Sequence, residues 1–176
     1  MTEIRTPVAQ LNQLIRDIEF AMFTTIHIDG SPHSCPMATQ PADAEGHLWL
    51  LTRTDTTKAQ VLRDNKNVCL AYADPGTQRY ISIAGIGELV RNQVKAKGFW
   101  NPRYQTWFPE GLDDPNLVPI RVLITDAEYW DAPTGRMVRI AGFSKDALGA
   151  RDIPVHQQSG VVTGGIGAIR HELTVS

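Results

Sequence analysis

Leu48-Trp49-Leu50-Leu51-Thr52-Arg53-Thr54-Asp55-Thr56-Thr57-Lys58 runs from an apolar strand into a hydroxyl-rich turn closed by a lysine, and the helix-forming stretch Ala59-Gln60-Val61-Leu62-Arg63-Asp64-Asn65 follows directly. Four apolar residues in succession are too many for a surface segment, so this strand belongs inside the fold. Thr56 or Thr57 is placed to cap the helix, which leaves first-turn amides and the positive end of the helix dipole facing the turn. A phosphate seated there meets those amides, the hydroxyls of Thr52 and Thr57 and the ammonium of Lys58. An ordinary capped helix with a solvated lysine has the same local pattern, so the stretch is an anion seat only if the rest of the chain brings a ligand to it.

Upstream, Phe20 to Ile28 reads as a β-branched strand, Asp29-Gly30 as a hairpin turn and Pro32 to Gln40 as the returning strand. Pro36 removes a ladder donor from that second strand, which is therefore expected at a sheet edge, with free backbone groups that a flat ligand can use. Pro7 opens a packing helix whose Val8, Leu11, Leu14, Ile15 and Ile18 fall on one face. Downstream, Asn67 to Ala73 is a fourth strand and Arg79 to Val90 a long fifth one, in which Gly85 and Gly87 predict a bend or bulge. Asn92 to Phe108 reads as helical to Phe99 and irregular around Pro102. Its rings, Phe99, Trp100, Tyr104, Trp107 and Phe108, are expected to cap one end of a barrel, with one or two lining a pocket. Val118 to Trp130 is the last strand, with Ile120, Val122 and Ile124 alternating against polar residues. Five or six antiparallel strands with few helices make the fold class mainly β, a barrel with added helices, six-stranded when every segment named here is counted. Residues 1–140 form a single domain in this reading, and 141–176 a tail that is either loosely ordered or packed on a partner subunit.

The 176 residues are 42% hydrophobic with a net charge of −2. That is enough apolar content for one core and the wrong charge for a nucleic-acid surface, which sets aside Lys95, Lys97 and Arg103 among the rings as a single-strand binding face. There is no run of about 20 apolar residues, and Met1-Thr2-Glu3-Ile4-Arg5 has no apolar signal core behind it, so a cytoplasmic location away from membranes is expected. Cys35 and Cys69 fit reduced core thiols. His33 and Cys35 share a strand face, with His27 and His47 on neighbouring strands, but this is not metal-ligand spacing and no metal is expected. Asp113 and Asp114 read as carboxylates solvating a turn. The glycine-rich Ser159 to Gly167 lacks the strand and helix context of a dinucleotide loop.

With the strands placed, the order of motifs resembles the flavin-binding split barrels of the pyridoxamine 5'-phosphate oxidase type, in their general stress protein 26-like branch. The resemblance spans about Leu11 to Arg139. It rests on Asp29-Gly30-Ser31-Pro32-His33 leading into Pro36-Met37-Ala38, Leu51-Thr52 followed by Thr57-Lys58-Ala59, Asn65-Lys66-Asn67-Val68, Ile83-Ala84-Gly85-Ile86-Gly87-Glu88 and Ala127-Glu128-Tyr129-Trp130. It implies a homodimer holding FMN in clefts between the subunits, with FAD as an alternative cofactor. By the same resemblance Met37, Ala38 and Thr39 lie along the flavin ring, Leu51 and Thr52 end the third strand beside it, Thr57 and Lys58 hold the phosphate, and Trp130 stands next to the flavin.

Three departures qualify what the resemblance implies. Thr57 stands where the oxidases place a phosphate-binding arginine, leaving Lys58, Thr52 and Arg53 to carry the anion. Tyr80 stands in place of a flavin-contacting glutamine and cannot reproduce both amide contacts. Gly135-Arg136-Met137-Val138-Arg139-Ile140 has no histidine where the oxidases hold the substrate phosphate, which argues against oxidation of pyridoxamine phosphate. The functional expectation is a flavin-dependent oxidoreductase acting on an unidentified small molecule, with a non-catalytic flavin carrier or redox sensor as the alternative, and with catalytic side chains unassigned.

Overall fold

The computed structural model describes residues 6–143. In chain order these form α1 (Pro7–Ile15), β1 (Phe20–Ile26), β2 (Pro32–Ala38), β3 (His47–Arg53), α2 (Thr57–Asp64), β4 (Asn67–Asp74), β5 (Arg79–Leu89), α3 (Gln93–Phe99), short 3-10 turns at Pro102–Thr106 and Gly111–Asp113, β6 (Leu117–Asp131) and β7 (Arg136–Arg139). The strands make one antiparallel sheet in the order β2-β1-β4-β5-β6-β3, with β7 added on β6. The fold is a mainly β split barrel with a few helices. Among the described residues no helix is long and apolar enough to cross a membrane.

The sheet has seven strands rather than the six expected. The extra one, β7, is four residues with an arginine at each end, too short and too polar to show a period of two. It folds back through a turn in which the Thr134 and Gly135 amides donate to the Asp131 carbonyl at 3.2 and 2.8 Å. β6, at 15 residues, is long enough to carry β5 on one side and both β3 and β7 on the other.

Local sequence chemistry explains most of the rest. Thr6 caps α1 and Pro7 takes its first turn, where the missing amide hydrogen costs nothing. Gly30 closes the first hairpin at φ +85, and the Asp29 carboxylate accepts from the Ser31 amide and hydroxyl. The register of β5 on β6 shifts between Ala84 and Gly85, where a Cβ on Gly85 would lie 2.7 Å from the Leu123 carbonyl. Only glycine permits that approach.

β2 lies at one end of the sheet path, as Pro36 requires, and β3 lies at the other. The two edges come near one another without a hydrogen-bonded ladder, so the barrel stays open along a seam. β3 is sandwiched between two apolar clusters. Leu48 and Leu50 join the principal core of Leu11, Phe23, Leu70, Ile83 and Ile120, while Leu51 joins a second cluster with Ala96, Tyr104 and Phe108. Side chains alternate along a strand, so burial on both faces produces the unbroken apolar run seen in the sequence.

Two expectations about single residues are corrected. Cys35 and Cys69 are unpaired and only half-buried; Cys35 packs against the principal core from its margin, and neither is a fully buried core residue. Asp114 holds its turn by accepting from the Asn116 amide at 2.8 Å, but it is 4% exposed rather than solvated and pairs with Arg53 at 2.5 Å. Of the segment 141–176, residues 144–176 lie outside the described residues. Phe143 packs against the principal core beside Val8.

Candidate functional site

A cavity of about 220 Å³ occupies the seam, walled on one side by Pro36, Met37 and Ala38 of β2 and on the other by Trp49 to Arg53 of β3. Its position follows from the proline edge strand, because two edges joined by a ladder would leave no space between them. The two ends of the cavity differ in chemistry.

At one end are Thr52, Arg53, Thr56 and Lys58. Thr56 is the cap of α2, its hydroxyl accepting from the Ala59 amide at 3.4 Å and donating to the Arg53 carbonyl at 2.8 Å. Its proton is thereby committed. The Thr52 hydroxyl, 3.2 Å from that of Thr56 on a residue 3% exposed, keeps a proton to donate either to Thr56 or to an anion. The Thr57 and Lys58 amides in the first helical turn add two further donors. The two cations differ. Arg53 is held in a two-pronged contact by Asp55, at 3.1 and 3.0 Å, and also pairs with Asp114; its hydrogen bonds hold the Asp55 carboxyl below the usual carboxylate range. Lys58 pairs with no carboxylate among the described residues. It is the cation whose charge remains available.

At the other end are Phe20, Trp49, Phe99, Tyr104, Trp107 and Phe108. Trp49 stacks on Phe99 with centroids 5.5 Å apart, while its indole N–H donates to Asp43 Oδ2 at 2.9 Å. Phe20 and Trp107 meet edge to face at 5.9 Å and are 40% and 51% exposed, so they form the cavity mouth. Gln40 Nε2 donates to the Tyr104 hydroxyl at 2.9 Å. Burial pushes the Tyr104 phenol above its ordinary value, so it is protonated at neutral pH.

Met37, Ala38, Leu51, Thr52 and Lys58 all line this cavity, as does Arg53. Three of the residues singled out in the sequence do not. Thr39 follows the end of β2, with its amide on the Glu19 carbonyl at 3.1 Å. Thr57 begins α2 and is exposed, because Thr56 turns toward the seam in its place. Trp130 lies near the far end of β6, opposite Met137 of β7. Trp49 and Phe20 were not singled out from the sequence, and four rings of the aromatic segment line the cavity where one or two were expected. Trp49 carried a legible signal: it sits one residue out of phase with Leu48 and Leu50, which places it on the other face of the strand. The separate group Asp43, Glu45 and His47 brings three possible ligand atoms within 4.8 Å, but Asp43 already accepts from the Glu45 and His47 amides and from Trp49. That carboxylate is spent on the turn.

The profile of the family described as "Pyridoxamine 5'-phosphate oxidase like" matches residues 6–153. The chain belongs to this family. Among solved structures, a protein related to general stress protein 26 from Clostridium acetobutylicum is 20% identical, covering 80% of this chain and 95% of that one, with a TM-score of 0.64. A general stress FMN/FAD binding protein from Xanthomonas citri is 25% identical over 69% of this chain and 85% of its own, with a TM-score of 0.59. Protein bli-3 of Neurospora crassa is 21% identical over 160 residues, which cover 85% of this chain and 77% of that protein.

Proposed function

We propose that this member of the family binds a flavin, FMN or FAD, in the seam cavity of a homodimer and acts as a flavin-dependent oxidoreductase on a small molecule. The observation that carries the reading is the meeting of the unpaired Lys58 ammonium, the Thr52 hydroxyl and the first-turn amides of α2 at one end of an aromatic cavity. This donor set suits a phosphate, and the apolar strand edges beside it suit a flat heteroaromatic system. Lys58 and Thr52 would hold the phosphate, while Met37, Ala38 and Leu51 would shape the ring seat. The flavin supplies the redox chemistry when bound, and this chain's residues position it and exclude water. The FMN/FAD binding described for the Xanthomonas citri protein is consistent with this.

Two observations support the dimer. At about 220 Å³ the cavity is smaller than the ~300–1,000 Å³ typical of a self-contained ligand site. In addition, one sheet face carries Met22 and Met137, 43% and 44% exposed, around small residues such as Ala71 and Ser82 that adjoin Met22 in register. A second copy on that face would cover it, and Trp130, outside its own chain's cavity, is a candidate for the partner's. Two unpaired thiols agree with a cytoplasmic location. The site also argues against a pyridoxamine phosphate substrate, since Arg139 is paired with Asp126 at 2.8 Å and no histidine stands beside it.

The test is the absorption spectrum and mass of the cofactor released from freshly purified protein. A yellow protein releasing FMN or FAD supports the reading, and rapid bleaching by a reduced nicotinamide nucleotide supports an enzyme. A bound flavin inert to such donors would assign a carrier or sensor instead. A colourless protein that fails to take up added flavin would overturn it.

A further inference from the structure

The aromatic end of the cavity holds a donor with no acceptor. Gln40 Nε2 donates to the Tyr104 hydroxyl at 2.9 Å, which occupies a lone pair of the phenol oxygen and leaves its proton unspent; among the described residues no acceptor takes it. Tyr104 is 8% exposed, and it lines the cavity together with Gln40 and five aromatic side chains. A buried hydroxyl keeps its proton donated wherever it can.

Charge is distributed unevenly around this donor. The cations lining the cavity are Arg53 and Lys58, both at the anion end, and Arg53 is already balanced by two carboxylates. Arg103, one residue before Tyr104, is turned outward to Glu19 at 3.0 Å. Lys95 Nζ lies 4.9 Å over the Trp49 ring but is not a lining residue, so no cation lines the ring-lined half itself. The walls present ring faces and edges, Trp49 over Phe99 and Phe20 against Trp107, which favour a flat apolar body.

We propose that the ring-lined half is a subsite for an uncharged planar aromatic carbonyl compound, of the quinone class, whose carbonyl oxygen accepts the Tyr104 proton while its ring packs against Trp107 and Phe20. This rests on the flavin reading of the Lys58 end, and it names the substrate class of the same site. The Gln40 amide sets the direction of the phenol by filling its acceptor side, so Gln40 is a positioning residue and Tyr104 the recognising one. Phe20 and Trp107, at the mouth and partly exposed, give such a ligand a path inward.

The experiment is equilibrium titration of the flavin-loaded protein with 2,3-dimethyl-1,4-naphthoquinone, whose substituted ring cannot add a thiol. It is read by calorimetry and by quenching of tryptophan fluorescence, with the flavin content of every sample measured by its spectrum. Saturable binding is expected, about fivefold weaker in Tyr104→Phe, which loses one neutral hydrogen bond, and about tenfold weaker in Trp107→Ala, which loses a stacking partner. Flavin content should be unchanged in both. Trp107 is half-exposed and Tyr104→Phe keeps the ring, so both variants retain the fold. Pyridoxine phosphate, an anionic ring, should bind at least tenfold more weakly than the quinone. Wild-type protein that holds flavin but binds no quinone, Tyr104→Phe that binds it equally well, or quinone that displaces the flavin would each overturn the inference and leave the flavin reading standing. Wild-type protein that takes up no flavin would overturn the flavin reading itself, and the assignment of this subsite with it.

Discussion

Replacing Lys58 with alanine separates the two cations at the anion end of the cavity. Lys58 is half-buried and has no carboxylate partner among the described residues, so its removal breaks no internal ion pair. Its charge-assisted contact with a phosphate is worth about 1.5–3 kcal/mol, which weakens FMN binding roughly 10- to 150-fold. The lower part of that range is expected, because the Thr52 hydroxyl and the α2 amides remain. The assay is titration of the apoprotein with FMN and, in parallel, with riboflavin, which has the same ring system and no phosphate. Lys58→Ala should weaken FMN binding alone, leave riboflavin binding within about twofold, and flatten the salt dependence of the FMN titration, since a screened ionic contact has been lost. The melting temperature without flavin should be unchanged. Equal loss of both ligands would mean that the substitution acts through the fold, and an unchanged FMN affinity would refute the phosphate seat.

Four further outcomes are expected. Asp114→Ala removes a buried acceptor from the Asn116 amide and Arg53; it should cost about 2 kcal/mol, seen as a melting-temperature fall of roughly 4–8 °C for a chain of this size, whereas a shift under one degree would show that water replaces the carboxylate freely. Gly85→Val places a Cβ 2.7 Å from the Leu123 carbonyl and should cost at least the ~1–3 kcal/mol of overpacking, measured by urea unfolding; a neutral result would mean that the bulge relaxes. The Asp74 carboxyl is lowered to about 2, by hydrogen bonds from Thr77 first and Arg79 second, and Arg79 also donates to the Leu14 and Arg16 carbonyls at the end of α1. Because the folded value is depressed, this contribution is present above the ordinary carboxylate value and is lost as the pH falls from about 4 toward 2, so Asp74→Asn should be less stable than the parent at pH 7, flatten acid unfolding in that window and match the parent near pH 2. Met22→Glu puts a charge on the exposed sheet face and should convert a dimer to a monomer in light scattering, with loss of flavin; a dimer that persists would place the interface elsewhere.

The strands, the first hairpin, the capped α2 and the bulge at Gly85 were legible because each is set by local chemistry: alternation, a glycine with positive φ, a threonine cap, a proline without an amide hydrogen. The fold class and the cavity-lining Thr52 and Lys58 came with them, whereas Met37, Ala38 and Leu51 were implied by the family resemblance. β7 was not legible, because four residues with arginine at both ends form a strand only when β6 extends far enough to receive them. The choice between Thr56 and Thr57 was open as well, since adjacent threonines are alike in sequence and only the entry angle of α2 decides which one faces the seam.

The sequence by itself determined that β3 is buried, that β2 is an edge and that a cation stands at a helix start, because these follow from side-chain periodicity and from the covalent geometry of proline. The tertiary structure alone decided that the two edges face each other, that rings from a segment some fifty residues downstream close over Trp49, and that Asp114, 61 residues away, balances Arg53 and leaves Lys58 free. Such pairings depend on which distant residues the closing sheet brings within a few ångströms, and neither periodicity nor propensity contains that information.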